Sequence, residues 1–518
     1  MTIPHITTVV IFLPLVGAAL TLLLRGGNAA RMVALVTTSV TFLASLVMYL
    51  AFDASADSGT APQLVDLAAW FPATADIKYF VGVDGLSILL VMLTTLLGPI
   101  VVLSSWTYIK RSASGYYTLL LILQTGVTGV FCSFDIVLFY VFFELTLIPM
   151  YFIIGIWGGE RRIYAAIKFV LYTLVGSLLL LVAILYLGFA AGEAVNGGVF
   201  TTDWYKIIQF NVPLQSQTWL FFLFALAFAI KVPIFPFHTW LPDAHVQAPT
   251  GGSVILAGVL LKMGTYGLVR FCLPIFPAAS LTYAPLFAVL ATIGIIYGAL
   301  VSRVQSDAKS LVAYSSVSHL GFVVLGIFAF TAEAMQGAVI QMINHGISTG
   351  ALFLILGMLY ERRHTREMAD YGGIARTVPV LSFFMVLSVL ASVGLPGLNG
   401  FVGEFLILIG AFKSSVISPT IVVFATTGVI LAAVYLLWLV YRLFFGPITN
   451  EDSGSMKDLN FREVAILVPL AIIMVVLGLY PGPFLDKSAA ATDHILEVVD
   501  QKMAHIRPDV PVLPLGTQ

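Results

Sequence analysis

The sequence predicts an all-α integral membrane protein of about 14 transmembrane helices, built around two inverted five-helix repeats, each with a broken fourth helix. Three observations carry this. The 518 residues are 59% hydrophobic and only 10% charged, with a mean hydropathy of +1.01, whereas a typical soluble domain is roughly 25% charged. The apolar residues fall into runs long enough to cross a bilayer. Two of those runs are interrupted mid-length by proline and glycine at corresponding places in the chain.

A hydrocarbon core of ~30 Å needs about 20 helical residues at ~1.5 Å each. Dividing the chain at its charged or Pro/Gly-rich breaks gives Ile3 to Leu24, Met32 to Phe52, Gly85 to Ile109, Tyr116 to Phe134, Ile136 to Trp157, Ile163 to Ala191 and Trp219 to Leu241. Val254 to Phe276, Leu281 to Val301, Leu311 to Phe330, Ala334 to Tyr360, Val378 to Phe412, Pro419 to Phe445 and Val464 to Tyr480 follow. These are spans 1 to 14. The first is read as a span and not as a cleaved leader, because no basic segment or small-residue cleavage site surrounds it. Assigning connections alternately to two sides puts 15 of the 25 basic residues on one side, from Arg25 to Arg462. Seven fall on the other: Lys78, Lys206, Arg270, Lys413, Lys487, Lys502 and Arg507. Positive charge stays inside, so both termini are expected on the outer face.

Lys plus Arg and Asp plus Glu nearly cancel, 25 against 26, which sets nucleic acid aside as a partner. Cys132 and Cys272 lie far apart in apolar sequence and are read as buried packing residues, since an iron-sulfur or zinc site needs a cluster. The stretch from Asp53 to Asp84 is polar at first, with room for a short amphipathic element. Between Lys487 and Ala504 the residues Ile495, Leu496, Val498, Val499 and Met503 alternate with charges, as in an amphipathic helix lying on a membrane or on a partner.

Three basic residues, Lys168, Lys231 and Lys262, fall within spans, together with Glu144, His319, His345 and Glu404. Lys168 is two turns from Arg162 and can snorkel to water. The other six lie roughly 12 to 18 Å from a span end at helical rise, near the membrane midplane. One such group is most simply an interhelical hydrogen bond. Six at one depth are harder to account for, because each charge costs at least ~2.5 to 3.5 kcal/mol at a helix centre, and leucine would serve a scaffold better. Carboxylates, amines and imidazoles in one buried layer can exchange protons, as a relay requires.

Lys231 begins Lys-Val-Pro-Ile-Phe-Pro, and Glu404 follows Gly394-Leu-Pro-Gly-Leu-Asn-Gly400. Both spans must therefore lose helical hydrogen bonds at depth, which is tolerated only inside protein or against a water-filled cavity. These are the fourth members of two groups of five, spans 4 to 8 and 9 to 13, and an odd count inverts the second group. The expected organisation is residues 1–112 (spans 1 to 3), 113–276 (first repeat), 277–446 (second repeat) and 447–518 (span 14 and tail). His238, Asp243 and His245 in Phe237 to Gly251 could hold a metal by spacing, but the set is incomplete, and the mouth of a proton path uses the same residues. Asp84 and Asp135 at span ends are read as interface residues or caps.

Five strings, FFELTLIPMYFIIGIWGGERR (Phe142 to Arg162), KVPIFPFHTWLPDAHVQAPTGGSVILAGVLLKMGTYG (Lys231 to Gly267), SDAKSLVAYSSVSHLGFV (Ser306 to Val323), INHGISTGALFLILG (Ile343 to Gly357) and GLPGLNGFVGEF (Gly394 to Phe405), resemble the antiporter-like membrane subunits of respiratory complex I, NADH-quinone oxidoreductase. The glutamate at the second break, Glu404, matches the M-type branch, the bacterial counterpart of mitochondrial chain 4, where other branches carry lysine. The resemblance implies a proton-translocating subunit in the bacterial inner (plasma) membrane, partnered by sibling antiporter-like subunits and lipid. It implies no cofactor in this chain, with FMN, iron-sulfur clusters and quinone in other subunits. Glu144 and Lys231 would form a pair whose separation modulates proton affinity, Lys262 with His319 and His345 the central relay, and Glu404 the exit. Competing readings are a subunit of a multisubunit cation/proton antiporter, of a ferredoxin-dependent relative, or a purely structural arm subunit.

Overall fold

The computed structural model describes residues 4–24, 26–54, 61–71, 74–448 and 451–506. Ile3, Arg25 and Arg507, used above in bounding span 1 and counting charge, lie outside the described residues. Among the described residues twelve helices are long and apolar enough to cross a membrane, and Ile88–Ser104 and Pro379–Val393 are shorter apolar helices. These fourteen coincide with the fourteen predicted spans, and the protein is an all-α integral membrane protein. Span 1 is Ile6–Leu23, span 2 Gly27–Ala51, span 4 Ala113–Cys132, span 6 Arg162–Val195 and span 9 Pro277–Arg303. Span 10 is Ala308–Ile327, span 11 Ala332–Arg363, span 13 Pro419–Phe444 and span 14 Phe461–Leu479.

Hydrogen bonds between connections confirm the alternation of faces. On the face where span 1 begins and span 14 ends, here the terminal face, Asp135 before span 5 accepts from the Lys78 amide (3.1 Å) and from Thr202 Oγ1 (2.9 Å). Asp135 also caps its own helix by accepting from the Val137 and Leu138 amides, as its reading as a cap requires. On the opposite, loop face, the Trp157 indole donates to the Arg111 carbonyl, the Arg161 amide to Gln247 Oε1, and Arg362 pairs with Glu463 at 2.7 Å. Successive spans that cross in alternating directions bring these connections into two sets.

Burial sorts the spans. Spans 8 (Thr250–Ile275) and 11 are wholly buried over their apolar windows, whereas spans 1, 2, 6, 13 and 14 leave more than half of theirs exposed. Apolar side chains such as Leu171, Phe189, Phe424 and Ile430 thus face lipid, and two of the midplane ionisable groups, Lys262 and His345, stand on the two wholly buried spans. Cys132 and Cys272 are free and buried.

Several features add to or differ from expectation. The short element between spans 2 and 3 is an antiparallel β-hairpin, Gln63–Ala69 with Lys78–Val83; β-branched and aromatic residues at Val65, Tyr79, Phe80, Val81 and Val83 favour it. Span 5 is broken as well, into Ile136–Leu145 and Leu147–Trp157. Pro149 lacks the amide that Leu145 needs four residues on. Span 8 is not a plain α-helix: π-helical Leu256–Leu260 and Leu268–Cys272 flank α-helical Lys262–Gly267. Arg270, counted above among the connections, lies inside span 8 and is buried. The tail forms the amphipathic helix Gly482–Ile506, with Ile495, Leu496, Val498 and Val499 buried against this same chain.

Candidate proton-transfer site

The site begins at the two predicted breaks. In span 7 the helix Leu214–Lys231 stops and Trp240–Gln247 resumes the path. Pro233 and Pro236 have no amide to donate, and the Ile230 carbonyl freed by the break is taken by the Trp240 indole at 2.9 Å. Lys231 is thereby fixed at a helix end in the protein interior, 2% exposed. In span 12, Pro379–Val393 ends at Gly394 (φ +83°) and the chain turns again at Gly397 (φ +92°) before Asn399–Lys413. Both angles lie in the left-handed region that glycine enters without penalty. Asn344 of span 11 closes the break by donating to the Asn399 carbonyl (2.7 Å), and the Asn399 side chain returns a bond to the Asn344 carbonyl. This clamp sets Glu404 one turn further on, buried.

Lys262, 0% exposed, places its ammonium on the Ala257 carbonyl and 2.7 Å from His345 Nδ1. The π-helical turn before it aims that carbonyl at the side chain. Among the described residues no carboxylate pairs with Lys262. The His345 ring stands 6.1 Å, centroid to centroid, from His319. His319 Nδ1 is 2.9 Å from Glu404 Oε1, and its Nε2 is 3.1 Å from the Tyr435 hydroxyl. Gln341 donates to the same Glu404 oxygen at 3.1 Å and is itself held by Asn344. Lys262, His345, His319 and Glu404 therefore form one buried row across spans 8, 11, 10 and 12. The one step without a direct bond is between the imidazoles, where His345 Nε2 has no protein partner, and transfer there calls for water.

The remaining predicted residues are placed differently. Glu144 ends the first half of span 5, partly exposed on the outside of the bundle, and is the charged group whose field acts on Lys231. No salt bridge joins the two; the Lys231 ammonium instead sits 4.8 Å over the Phe143 ring. Lys168, partly exposed, pairs with Asp243 at 2.7 Å on the half-helix after the first break.

His238 and His245 are buried with both ring nitrogens unpartnered; His245 stacks on Phe353 and feels both Lys262 and Lys309. Among the described residues no group of three or more His, Cys, Asp or Glu could hold a metal. A cavity of about 50 Å³ lined by Gln247, Thr250, Lys309, Tyr360 and Arg366 lies beside this segment on the loop face. Tyr435 and Gln341 sit in apolar runs where nothing distinguishes them from packing residues. The i, i+4 spacing of Gln341 and His345 was the available clue.

Residues 133–431 match the family model described as NADH:quinone oxidoreductase/Mrp antiporter, TM. The chain belongs to this family. It is 44% identical over 512 residues to "NADH-quinone oxidoreductase subunit M" of Rhodobacter capsulatus, covering 95% of this chain and 96% of that protein. Against the subunit M of Pseudomonas aeruginosa it is 45% identical over 470 residues, covering 89% and 91%. Among solved structures, a chain of respiratory complex I from Thermus thermophilus superposes with a TM-score of 0.85 at 32% identity, over 95% of this chain and 99% of that one. A chain of the Mrp complex from Dietzia sp. reaches 0.81 at 19% identity, over 96% and 99%, a likeness of fold alone. Family membership covers the row: all its residues lie within the matched segment.

Proposed function

We propose that this chain is a proton-translocating membrane-arm subunit of an NADH:quinone oxidoreductase, and that protons cross it along the Lys262, His345, His319, Glu404 row. The observation that carries the reading is the continuity of that row. Groups able to take and give a proton stand within hydrogen-bond reach, save for the step between the imidazoles, across four helices at mid-membrane depth. The subunits M that it resembles over nearly their whole length belong to that complex by name, and no redox step is assigned to this chain.

Loading enters from the loop face, beside Lys309 and His245, and reaches Lys262. Glu144 and Lys231 act as a modulating pair: bringing the carboxylate toward Lys231 neutralises the charge that Lys262 feels, and separating them restores it. Glu404 releases outward. The two repeats, 113–276 and 277–446, are related by inversion, with the spans 7 and 12 breaks in equivalent places. The basic loop face lies in the cytoplasm and the terminal face outside, in a bacterial plasma membrane. Moving each proton outward costs ~2.3 kcal/mol per 100 mV, supplied by partner subunits. Lys168, held by Asp243, positions the half-helix after Lys231.

The test is the complete complex carrying Lys262→Leu, reconstituted in vesicles and driven with NADH and quinone. Proton uptake should fall by more than about tenfold in complex that assembles normally. Full pumping would end the proposal and leave the structural-arm reading.

A further inference from the structure

Span 8 presents Lys262, Tyr266 and Arg270 four residues apart, one above another along its path to the terminal face. From the midplane this ladder rises about 12 Å at helical rise, the shortest route from Lys262 to the terminal side. Its upper end is closed. The Arg270 guanidinium pairs with Asp84 at 2.5 Å, both almost wholly buried, and Asp84 also accepts from the Ser87 amide. Arg270 Nε donates to the Tyr266 hydroxyl at 3.1 Å, and that hydroxyl reaches the Phe131 carbonyl at 3.4 Å. Three rings enclose the cation: Phe134 at 5.0 Å, Tyr266 at 5.2 Å and Trp204 at 5.8 Å. Above the pair a cavity of about 40 Å³ runs under the tail helix, lined there by Ala491, His494, Ile495 and Val498, which is room for water.

We infer that the Arg270–Asp84 pair in its ring of Phe134, Tyr266 and Trp204 is a plug that shuts the terminal-face route to Lys262, so that protons loaded there leave sideways through Glu404. Arginine does not give up its proton and has no acceptor, so it cannot pass a proton along. Its donors are directed at Asp84 and Tyr266, and its faces are covered by aromatic carbon, which leaves no lane for water between the cavity and the lysine. Without the plug, a potential positive on the terminal side would drive protons back onto Lys262 without any oxidoreduction.

The inference rests on Lys262 carrying protons, and its test is separate from that of turnover. The complete complex is placed in vesicles without NADH, and internal pH is followed after a potassium diffusion potential, positive on the terminal side, is imposed. Asp84→Asn/Arg270→Gln, which keeps net charge and hydrogen-bonding capacity, should raise the passive proton leak about tenfold, and adding Lys262→Leu should return it to the native rate. Should the double variant fail to assemble, Trp204→Ala, which opens the cage and keeps the ion pair, decides on the same two criteria. A native leak in assembled complex, or a raised leak indifferent to Lys262→Leu, overturns the plug. Turnover pumping by Lys262→Leu alone bears only on the relay.

Discussion

Tyr435→Phe separates holding a proton carrier from being one. The Tyr435 hydroxyl is 3.1 Å from His319 Nε2, and the opposite nitrogen is 2.9 Å from Glu404 Oε1. That Glu404 oxygen also accepts from Gln341, so in the neutral ring Nδ1 is the donor and Nε2 accepts from the tyrosine. The tyrosine thus selects the tautomer whose proton already points at Glu404. A hydrogen bond of this kind contributes about 1 kcal/mol net, or roughly fivefold in population. Loss of the hydroxyl should therefore slow proton uptake by the reconstituted complex about fivefold, with the ratio of protons to electrons unchanged, because the aligned tautomer is rarer but still forms. His319→Leu in parallel should lose well over tenfold, since it removes the carrier. A Tyr435→Phe loss as deep as that of His319→Leu would refute the assignment by making the tyrosine a carrier, and an unchanged rate would refute the tautomer argument.

Other perturbations have signs fixed by the same geometry. Asp84→Leu or Arg270→Met alone strands a buried charge and should cost about 3 to 5 kcal/mol, while the pair together should recover most of it; additive losses in thermal midpoints of the assembled complex would contradict the burial described. Gly394→Ala forces a methyl group into a φ of +83° and should destabilise by about 1 to 2 kcal/mol, seen as a lowered midpoint, although the new methyl would meet Glu404 Oε2 only at ordinary contact distance, 3.5 Å. Lys502, on the buried face of the tail helix and donating to the Phe210 carbonyl, has its ammonium pushed down by burial from 10.5 to about 8. The docked tail then binds fewer protons than the undocked one between those values, so docking should tighten as pH rises from about 8 toward 10.5. Amide protection in the tail, referenced to intrinsic exchange at each pH, should rise across that window in the native chain and rise less steeply in Lys502→Met, where Lys487, also pushed down by burial in this helix, still titrates.

The spans were legible because a bilayer imposes one length on every run, and the breaks at Lys231 and Glu404 because proline and glycine interrupt helices by covalent geometry. Depth along a helix is also a sequence quantity, which is why Lys262, His319, His345 and Glu404 could be placed in one layer before any contact was known. What joins them was not legible. The partner of Arg270 lies 186 residues away at Asp84, and nothing local distinguishes a charge at a span end from one turned inward. The span 5 break had a written cause in Pro149, yet an apolar run with one proline also fits a merely bent helix. The π-helical turn before Lys262 packs against spans 3 and 11 and the one after it against span 7, and neither leaves a trace in periodicity. That Lys168 would meet Asp243 was not legible either, because Asp243 arrives from the far side of the span 7 break.

The central claim is that Glu404 takes up and releases a proton with each cycle, and infrared difference spectroscopy of the working complex tests it most directly. The account predicts a protonated-carboxyl stretch that appears on starting turnover, shifts when glutamate is isotopically labelled at its side-chain carbonyl carbon, and is absent in Glu404→Gln. A carboxyl signal that is the same in the native complex and in Glu404→Gln, at full pumping rate, would contradict it.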